Sequence, residues 1–501
     1  MLTPKKTVIS TQYHQLRAGG DTAAIMGMCK ALLAADDAAV AAGTARVLDA
    51  EFIAAHTQGF DAFAAAVRAC PWPEIEQESG LAQADIERAA QVYASARAVI
   101  GIYGMGLTQH RTGVNNVRML CNLLLLRGNV GKPGAGVCPV RGHSNVQGQR
   151  TVGITEKPEL APLDKLAELY GFEPPRHKGR NTVESCEGIL SGEVCAFIGL
   201  GGNFLRVTPD TSRLEPAWRK LRLTVQISTK LNRSHVVHGE VAYVLPCLGR
   251  LEVDRQAGGE QSVTIEDATG CMHGSKGVVQ PADEHLMSEP AILAGIATHL
   301  LPPNPRVPWD EWVGDYGLVR DAIARTYPQI FHDFNQRMWT PGGFHRPVPA
   351  RHREWNTPTG KANFVVPAGL DENPDMPAEG SDVLRLITLR SDDQFTSSVY
   401  SYDDSYRGIK GSREVLLMNR DDMTRLGIGE GDALRVTTAA SDGHERSITL
   451  QATGYDIPVG CAAGYYPECN RLVPLWHHAE KSMVPAAKFI PVRVARVGGQ
   501  R

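Results

Sequence analysis

Glycine lets backbone amides approach phosphate oxygens, and the first turn of a helix favours anions, so glycine-rich turns are where chemistry is first sought. GIYGMGLTQHRTG places Gly101, Gly104 and Gly106 in an order other than the G-x-G-x-x-G of a dinucleotide fingerprint. RGNVGKPGAG contains Gly131 and Lys132, but Pro133 stands where a phosphate loop needs Ser or Thr, and Leu126 where it needs its leading glycine. Residues 199–203 lie between a strand pattern and a helix pattern, with Phe204 in place of the last glycine. Each turn alone reads equally as plain structure. Several on successive strand–helix connections would line one rim of a sheet, where ligands of such sheets bind.

The segment PVRGHSNVQGQR packs Arg141, His143, Ser144, Asn145, Gln147 and Gln149 between glycines. Exposed, it is a solvated loop; buried, its donors need an acceptor-rich ligand, because each unpaired buried group costs about 1–3 kcal/mol. His235 and His238 in SHVVH stand three apart, a spacing that could serve a metal, but no third ligand accompanies them and no metal site is assigned. His477 and His478 are adjacent and point apart on any regular element. H-E-x-x-H, G-x-S-x-G and C-x-x-C are all missing, which excludes the simple hydrolase, zinc-ribbon and thioredoxin readings.

The elements that must carry these residues change along the chain. From Gly20 to about Gly136 the pattern is helical: in LAQADIERAAQVYASA, Ile86, Ala89, Ala90 and Tyr93 share a face, and Val114, Val117, Cys121 and Leu124 repeat likewise. RAVIGIYGMG between them reads as a strand and turn. Residues 191–246 alternate strand and helix: EVCAFIGLGGN, PDTSRLEPAWRKL, LTVQIST, LNRSHVVHG and EVAYVLP. That order predicts an open parallel sheet covered on both faces. Residues 300–380 are proline-rich and read as connecting structure. Beyond Gly380, VLRLITLR, REVLLMN, ALRVTTAA and RSITLQATG read as strands of a small β-barrel, with NRDDMTRLG as a lone helix.

The 501 residues are 43% apolar, enough for several cores, and 52 basic against 55 acidic residues leave a net charge of −3. No global field exists to hold nucleic acid or an anionic membrane, so an anionic ligand must be gripped locally. No apolar stretch reaches membrane-spanning length and no secretion signal is evident, which predicts a cytoplasmic chain without a membrane span. Ten dispersed cysteines read as reduced, mostly buried thiols.

Taken in order, YGMGLTQHRTG, LLLLRGNVGKPGAGVCPVRGHSNVQGQRTVGITEKP, GLGGNFLRVTPDT, VQISTKLNRSH, YVLPCLGR, TPTGKANF and GCAAGYYPECNRLVP resemble the molybdopterin oxidoreductases, most closely their formate-dehydrogenase-type alpha subunits. The resemblance implies an α/β fold: Rossmann-like parallel-sheet domains with a C-terminal double-psi-type β-barrel domain. The implied boundaries are 1–143 and 144–280 for two α/β cofactor domains, 281–380 for a connecting region and 381–501 for the barrel. It further implies bis-molybdopterin guanine dinucleotide with molybdenum as cofactor. Gly106, Gly201, Gly202 and Asn203 would bind it with Gln226, Ser228 and Thr229, and Arg390, Gln394, Thr396, Asn470 and Lys488 would bind it from the barrel side. Arg141 matches the arginine that orients the substrate carboxylate, with His143, where relatives carry glutamine, and Gln109 nearby. The implied activity is two-electron oxidation of a small anion, with electrons passed to an acceptor protein. The family's N-terminal region, with its 4Fe-4S cluster and metal-ligating cysteine or selenocysteine, has no counterpart here. Met1 and Leu2 align with an internal point, so a truncated or split-gene fragment that binds the pterin nucleotide without turnover is the alternative.

Overall fold

The computed structural model describes residues 10–371 and 381–498, so the first residues of the chain and part of the proline-rich stretch lie outside the described residues. The chain divides into two compact units, one drawn from Met1–Cys138, Val348–Asp392 and Ser401–Arg501, the other from Pro139–Pro347 and Asp393–Tyr400.

The first unit opens with a helical layer whose core includes Leu32, Leu33, Phe63, Ile75, Ile86 and Leu124. The helix Gln83–Ser95 buries Ile86, Ala90 and Tyr93, as its periodicity predicts. In the helix Gly113–Leu125 Leu124 is buried as predicted, but Val114, Val117 and Cys121 are only half-buried and the buried face runs through Asn116, Met119 and Leu123. Asn116 and Asn122 make polar anchors there. Asn116 accepts from the Thr22 hydroxyl at 2.6 Å, and Asn122 exchanges bonds with the backbone of Val365. β1 (Ile100–Tyr103) precedes that helix.

The same unit contains a closed six-stranded barrel: β5 (Val383–Leu389), β6 (Val415–Met418), β7 (Ala433–Thr438), β8 (Ser447–Gly454), β9 (Cys461–Tyr465) and β10 (Ile490–Arg496). Its order is β5-β9-β6-β8-β7-β10, with β5–β9 and β6–β8 parallel and the other neighbours antiparallel, the arrangement of a double-psi barrel. Leu434, Val436 and Thr438 face inward, as alternation along β7 requires.

The second unit holds a parallel sheet of β2 (Ala196–Leu200), β3 (Leu223–Ser228) and β4 (Val241–Pro246), in that order. Phe197 packs against Phe204 and Trp218 on one face, and Val225 and Ile227 against Ile292 on the other. Coverage is incomplete at the edges, where Ile198, Leu200 and Tyr243 are about half exposed.

The described part of residues 300–380, read as connecting structure, holds more regular elements than its prolines predict. The stretch carries the helices Trp309–Gly314 and Tyr316–Thr326, and Phe331, Phe334, Met338 and Phe344 form a core with Met272. Its prolines start elements instead of interrupting them: Pro308 caps the first helix and Pro328 opens Pro328–Phe331, positions where a missing N–H costs nothing. Among the described residues no helix is long and apolar enough to cross a membrane, and all ten cysteines are free thiols, six of them buried.

Candidate functional site

In the second unit, Gly201, Gly202, Asn203, Gln226, Ser228 and Thr229 gather at the carboxyl ends of β2 and β3. Gly201 and Gly202 are both left-handed, with φ of 70° and 75°, which a side chain would strain. No atom lies within 4 Å of where their Cβ atoms would stand, so the turn borders open space. The Gly201 N–H donates to the Ile227 carbonyl at 2.7 Å, and Asn232 Nδ2 donates to the Gly202 carbonyl at 2.7 Å. Buried Asn203 accepts from the Ser234 hydroxyl at 3.2 Å. The Ser228 hydroxyl donates to the Lys230 carbonyl at 3.0 Å, and Thr229 is exposed.

Gln226 is only 4% exposed, and its Nε2 has no partner among the described residues. Its Oε1 fills the space beside Gly199, where a Cβ would stand 2.7 Å away. His235 contributes a second unmet donor. Its Nδ1 accepts from the Asn232 N–H at 3.0 Å, which leaves the proton of the neutral ring on a buried Nε2 with no partner. Burial draws this imidazole below its ordinary range.

The polar segment is exposed at Arg141, His143 and Ser144, and side-chain bonds give it shape. Arg141 Nε donates to Gln147 Oε1 at 3.0 Å, and Gln147 donates onward to the Asp267 carbonyl at 2.9 Å. Asn145, left-handed at φ 65°, accepts from the Glu266 N–H at 3.1 Å. A Cβ on Gly148 would fall 1.9 Å from that Asn145 oxygen, so a side chain there would push Asn145 off the Glu266 N–H. The His143 ring lies 5.9 Å from that of Phe395. Beside Phe395, Gln394 Nε2 donates to the carbonyl of Thr396, itself left-handed at φ 55°.

In the first unit, Gln109, Arg390 and Lys488 come together. The Lys488 N–H donates to the Gln109 carbonyl at 3.0 Å, and the Glu480 N–H to that of Arg111 at 3.1 Å, tying the first glycine turn to the loop before β10. Gly106 lies in that turn, its carbonyl receiving His110 Nε2 at 2.7 Å. Lys488 Nζ donates to the Thr388 carbonyl at the end of β5. Desolvation, and then the charges of Arg390 and Arg407, push its ammonium down to about 8. Arg390 lies over the Tyr466 ring, 5.3 Å from its centroid. Neither Arg390 nor Lys488 pairs with a carboxylate among the described residues.

Arg413 holds this corner and was not foreseen. It is buried, bonds Glu468 through Nε at 3.0 Å and Nη2 at 3.2 Å, and also donates to Ser391 Oγ and the Tyr466 carbonyl, each at 2.8 Å. It thereby links the neighbours of Arg390 to the turn carrying Asn470, which is buried. In sequence it is one more arginine before a strand, and nothing in its spacing marks it.

The first unit thus offers a barrel corner with two cations outside any carboxylate pair among the described residues, and the second unit a parallel-sheet rim ending in left-handed glycines; each by itself suits an anionic group. Residues 2–237 match the family described as molybdopterin oxidoreductase, and residues 384–490 match the molydopterin dinucleotide binding domain. The chain belongs to the molybdopterin oxidoreductase family. It is similar to Protein YdeP of Escherichia coli K12, 43% identical over 497 residues, covering 99% of this chain and 65% of that one. It is also similar to the uncharacterized oxidoreductase Rv2900c of Mycobacterium tuberculosis H37Rv, 42% identical, covering 97% of this chain and 62% of that one. The chain thus spans 65% and 62% of these curated relatives. Formate dehydrogenase H of Escherichia coli K12 is 34% identical over 188 residues, 35% of this chain and 26% of that one. Acetylene hydratase from Pelobacter acetylenicus shares the fold, with a TM-score of 0.62 at 16% identity over 96% of this chain and 71% of that one.

Proposed function

We propose that this chain binds molybdenum held by two molybdopterin guanine dinucleotides and serves the two-electron oxidation of a small anion, in the manner of formate dehydrogenases. One observation carries the reading: Arg390 and the desolvated Lys488 ammonium stand at one barrel corner, and neither pairs with a carboxylate among the described residues. Unpaired, desolvated cations are costly unless an anion completes them, and a pyrophosphate or pterin oxygen is such an anion. Gly201, Gly202 and Asn203, with Gln226, Ser228 and Thr229, offer backbone and amide donors to the other nucleotide, and Gly106, Gln394, Thr396 and Asn470 complete the binding set. The unmet Nε2 of Gln226 fits an acceptor there.

When bound, the cofactor supplies the redox centre that accepts the electron pair. Arg141 orients the carboxylate of the substrate through a permanent planar charge, with His143 on the same turn, and Gln109 is the substrate-binding candidate of the first unit. A 4Fe-4S cluster, an electron-accepting protein and a cytoplasmic home complete the proposal. A reduced holo-complex without a cluster signal in electron paramagnetic resonance would exclude that electron route.

The test compares two variants purified from a host that makes the cofactor. Arg390→Ala should lose most of its pterin, read as oxidised-pterin fluorescence, whereas Arg141→Ala should keep pterin and lose turnover with a dye acceptor. Equal pterin loss in both overturns this division of roles. Full pterin retention without turnover in the unsubstituted chain selects the alternative, a chain that binds the nucleotide and does not turn over.

A further inference from the structure

The motif YVLPCLGR ends in an arginine that the reading above leaves without a role. Arg250 is exposed, and its Nη1 donates to Ser144 Oγ at 2.6 Å. Ser144 lies three residues from Arg141, so their backbones stand within about 10 Å of each other, and the Arg250 guanidinium is tied to the same turn through the Ser144 hydroxyl. A hydroxyl that accepts one bond still has its own proton to give, so Ser144 can donate to a third group while it holds Arg250.

Both guanidiniums are positioned yet unspent. Arg141 uses Nε on Gln147, Arg250 uses Nη1 on Ser144, and neither forms an ion pair with a carboxylate among the described residues. The carboxylate closest to Arg250 in sequence, Glu252, is taken by backbone donors: its Oε2 receives the Gly249 N–H at 2.5 Å and its Oε1 the Ala282 N–H at 2.8 Å. Elsewhere in this unit arginines are commonly paired, as Arg150 is with Glu156 and Arg233 with Glu215. The loop beneath is fixed by Gln147 on the Asp267 carbonyl and by Asn145 on the Glu266 N–H. Arg141, the Ser144 hydroxyl and the His143 ring are thus presented on one pinned turn, and Arg250 is anchored to it through Ser144.

We propose that Arg250 joins Arg141 in a paired-guanidinium site bridged by Ser144, and that this site selects a small dianion, one guanidinium serving each charged end. The assignment rests on the reading of Arg141 as the substrate arginine, and it narrows the substrate from any small anion to one with two anionic oxygen groups. A monoanion occupies one guanidinium and leaves the other in water.

Isothermal titration of the chain with oxalate and with formate, at fixed ionic strength because exposed charges are screened by salt, tests this directly. Oxalate should bind at least tenfold more tightly than formate, a difference of about 1.4 kcal/mol. Arg250→Ala should abolish that preference, Arg250→Lys should keep part of it, and Arg141→Ala should weaken both anions. An unsubstituted chain without the preference, or an Arg250→Ala chain that retains it, overturns the proposal. Phenylglyoxal labelling of the unsubstituted chain, mapped by mass spectrometry, tests the pairing without a substitution: oxalate should slow modification of Arg250 and Arg141, and an unprotected Arg250 refutes it. A chain found to carry no pterin would sink the proposed function and leave these anion affinities standing, so the two failures are separable.

Discussion

Replacing Lys488 by methionine should make the ligand-free chain more stable near neutral pH while weakening its grip on the anionic cofactor. Burial and the charges of Arg390 and Arg407 lower the Lys488 ammonium from 10.5 to about 8, which corresponds to a cost of about 3 kcal/mol for the charged folded form. Methionine removes that cost but abandons the Thr388 carbonyl, at about 1–3 kcal/mol, so the net gain at pH 7 is about 1 kcal/mol. The pH dependence has a definite sign. Between about 8 and 10.5 the unfolded lysine is protonated and the folded one is not, so the unsubstituted chain gains stability as pH rises through that window. Below about 8 its penalty is present in full. The advantage of Lys488→Met should therefore be largest at pH 7 and fall by up to about 3 kcal/mol toward pH 10.5. Urea titrations of both chains at the two pH values measure the difference, and subtraction removes groups common to both, such as Tyr466, whose hydroxyl burial pushes up to about 12. A difference that does not change with pH would refute a desolvated charge at this position.

Other expectations follow from the same structure. Gly202→Ala should cost about 1–2 kcal/mol through its φ of 75°, lower the melting temperature and reduce nucleotide retention, because the new methyl group enters the open turn. Arg413→Met should destabilise by about 3–5 kcal/mol by leaving Glu468 unpaired, and the double variant with Glu468→Leu should recover much of that loss in thermal unfolding. Asp442 is held well below the usual carboxylate range by Arg446, with Trp476 and the His444 N–H assisting. Its contribution is present above the ordinary Asp range near 3.9 and is lost as pH falls through the depressed value, so Asp442→Asn should flatten the acid limb of the stability profile.

Much of this architecture is legible in the sequence where one physical signal dominates. Alternation marks Leu434, Val436 and Thr438, and the strand–glycine–helix order marks the rim at Gly201 and Gly202. β9 escapes because Cys461, Ala462, Ala463, Gly464 and Tyr465 are all buried, so no alternation survives, and small residues have little strand propensity. β10 escapes because Pro491 reads as a breaker, although its carbonyl still accepts from Ala439 while its missing N–H is tolerated in the ladder. The candidate site was visible only in part. Resemblance pointed to Arg390 and Lys488, yet their lack of carboxylate partners is a property of the folded chain. The bonds from Arg413 to Ser391 and from Arg250 to Ser144 join residues 22 and 106 positions apart, and no local pattern encodes such a meeting.

The central claim is that this chain holds a guanine-bearing pterin nucleotide through charges and cradles of its own. Acid hydrolysis of the chain purified from a host that makes the cofactor, with released guanosine monophosphate and pterin counted by chromatography, tests it most directly. The account predicts guanosine monophosphate and pterin in equal amounts, both falling several-fold in Arg390→Ala. Pterin released without guanosine monophosphate, or equal amounts retained after Arg390→Ala, would contradict it.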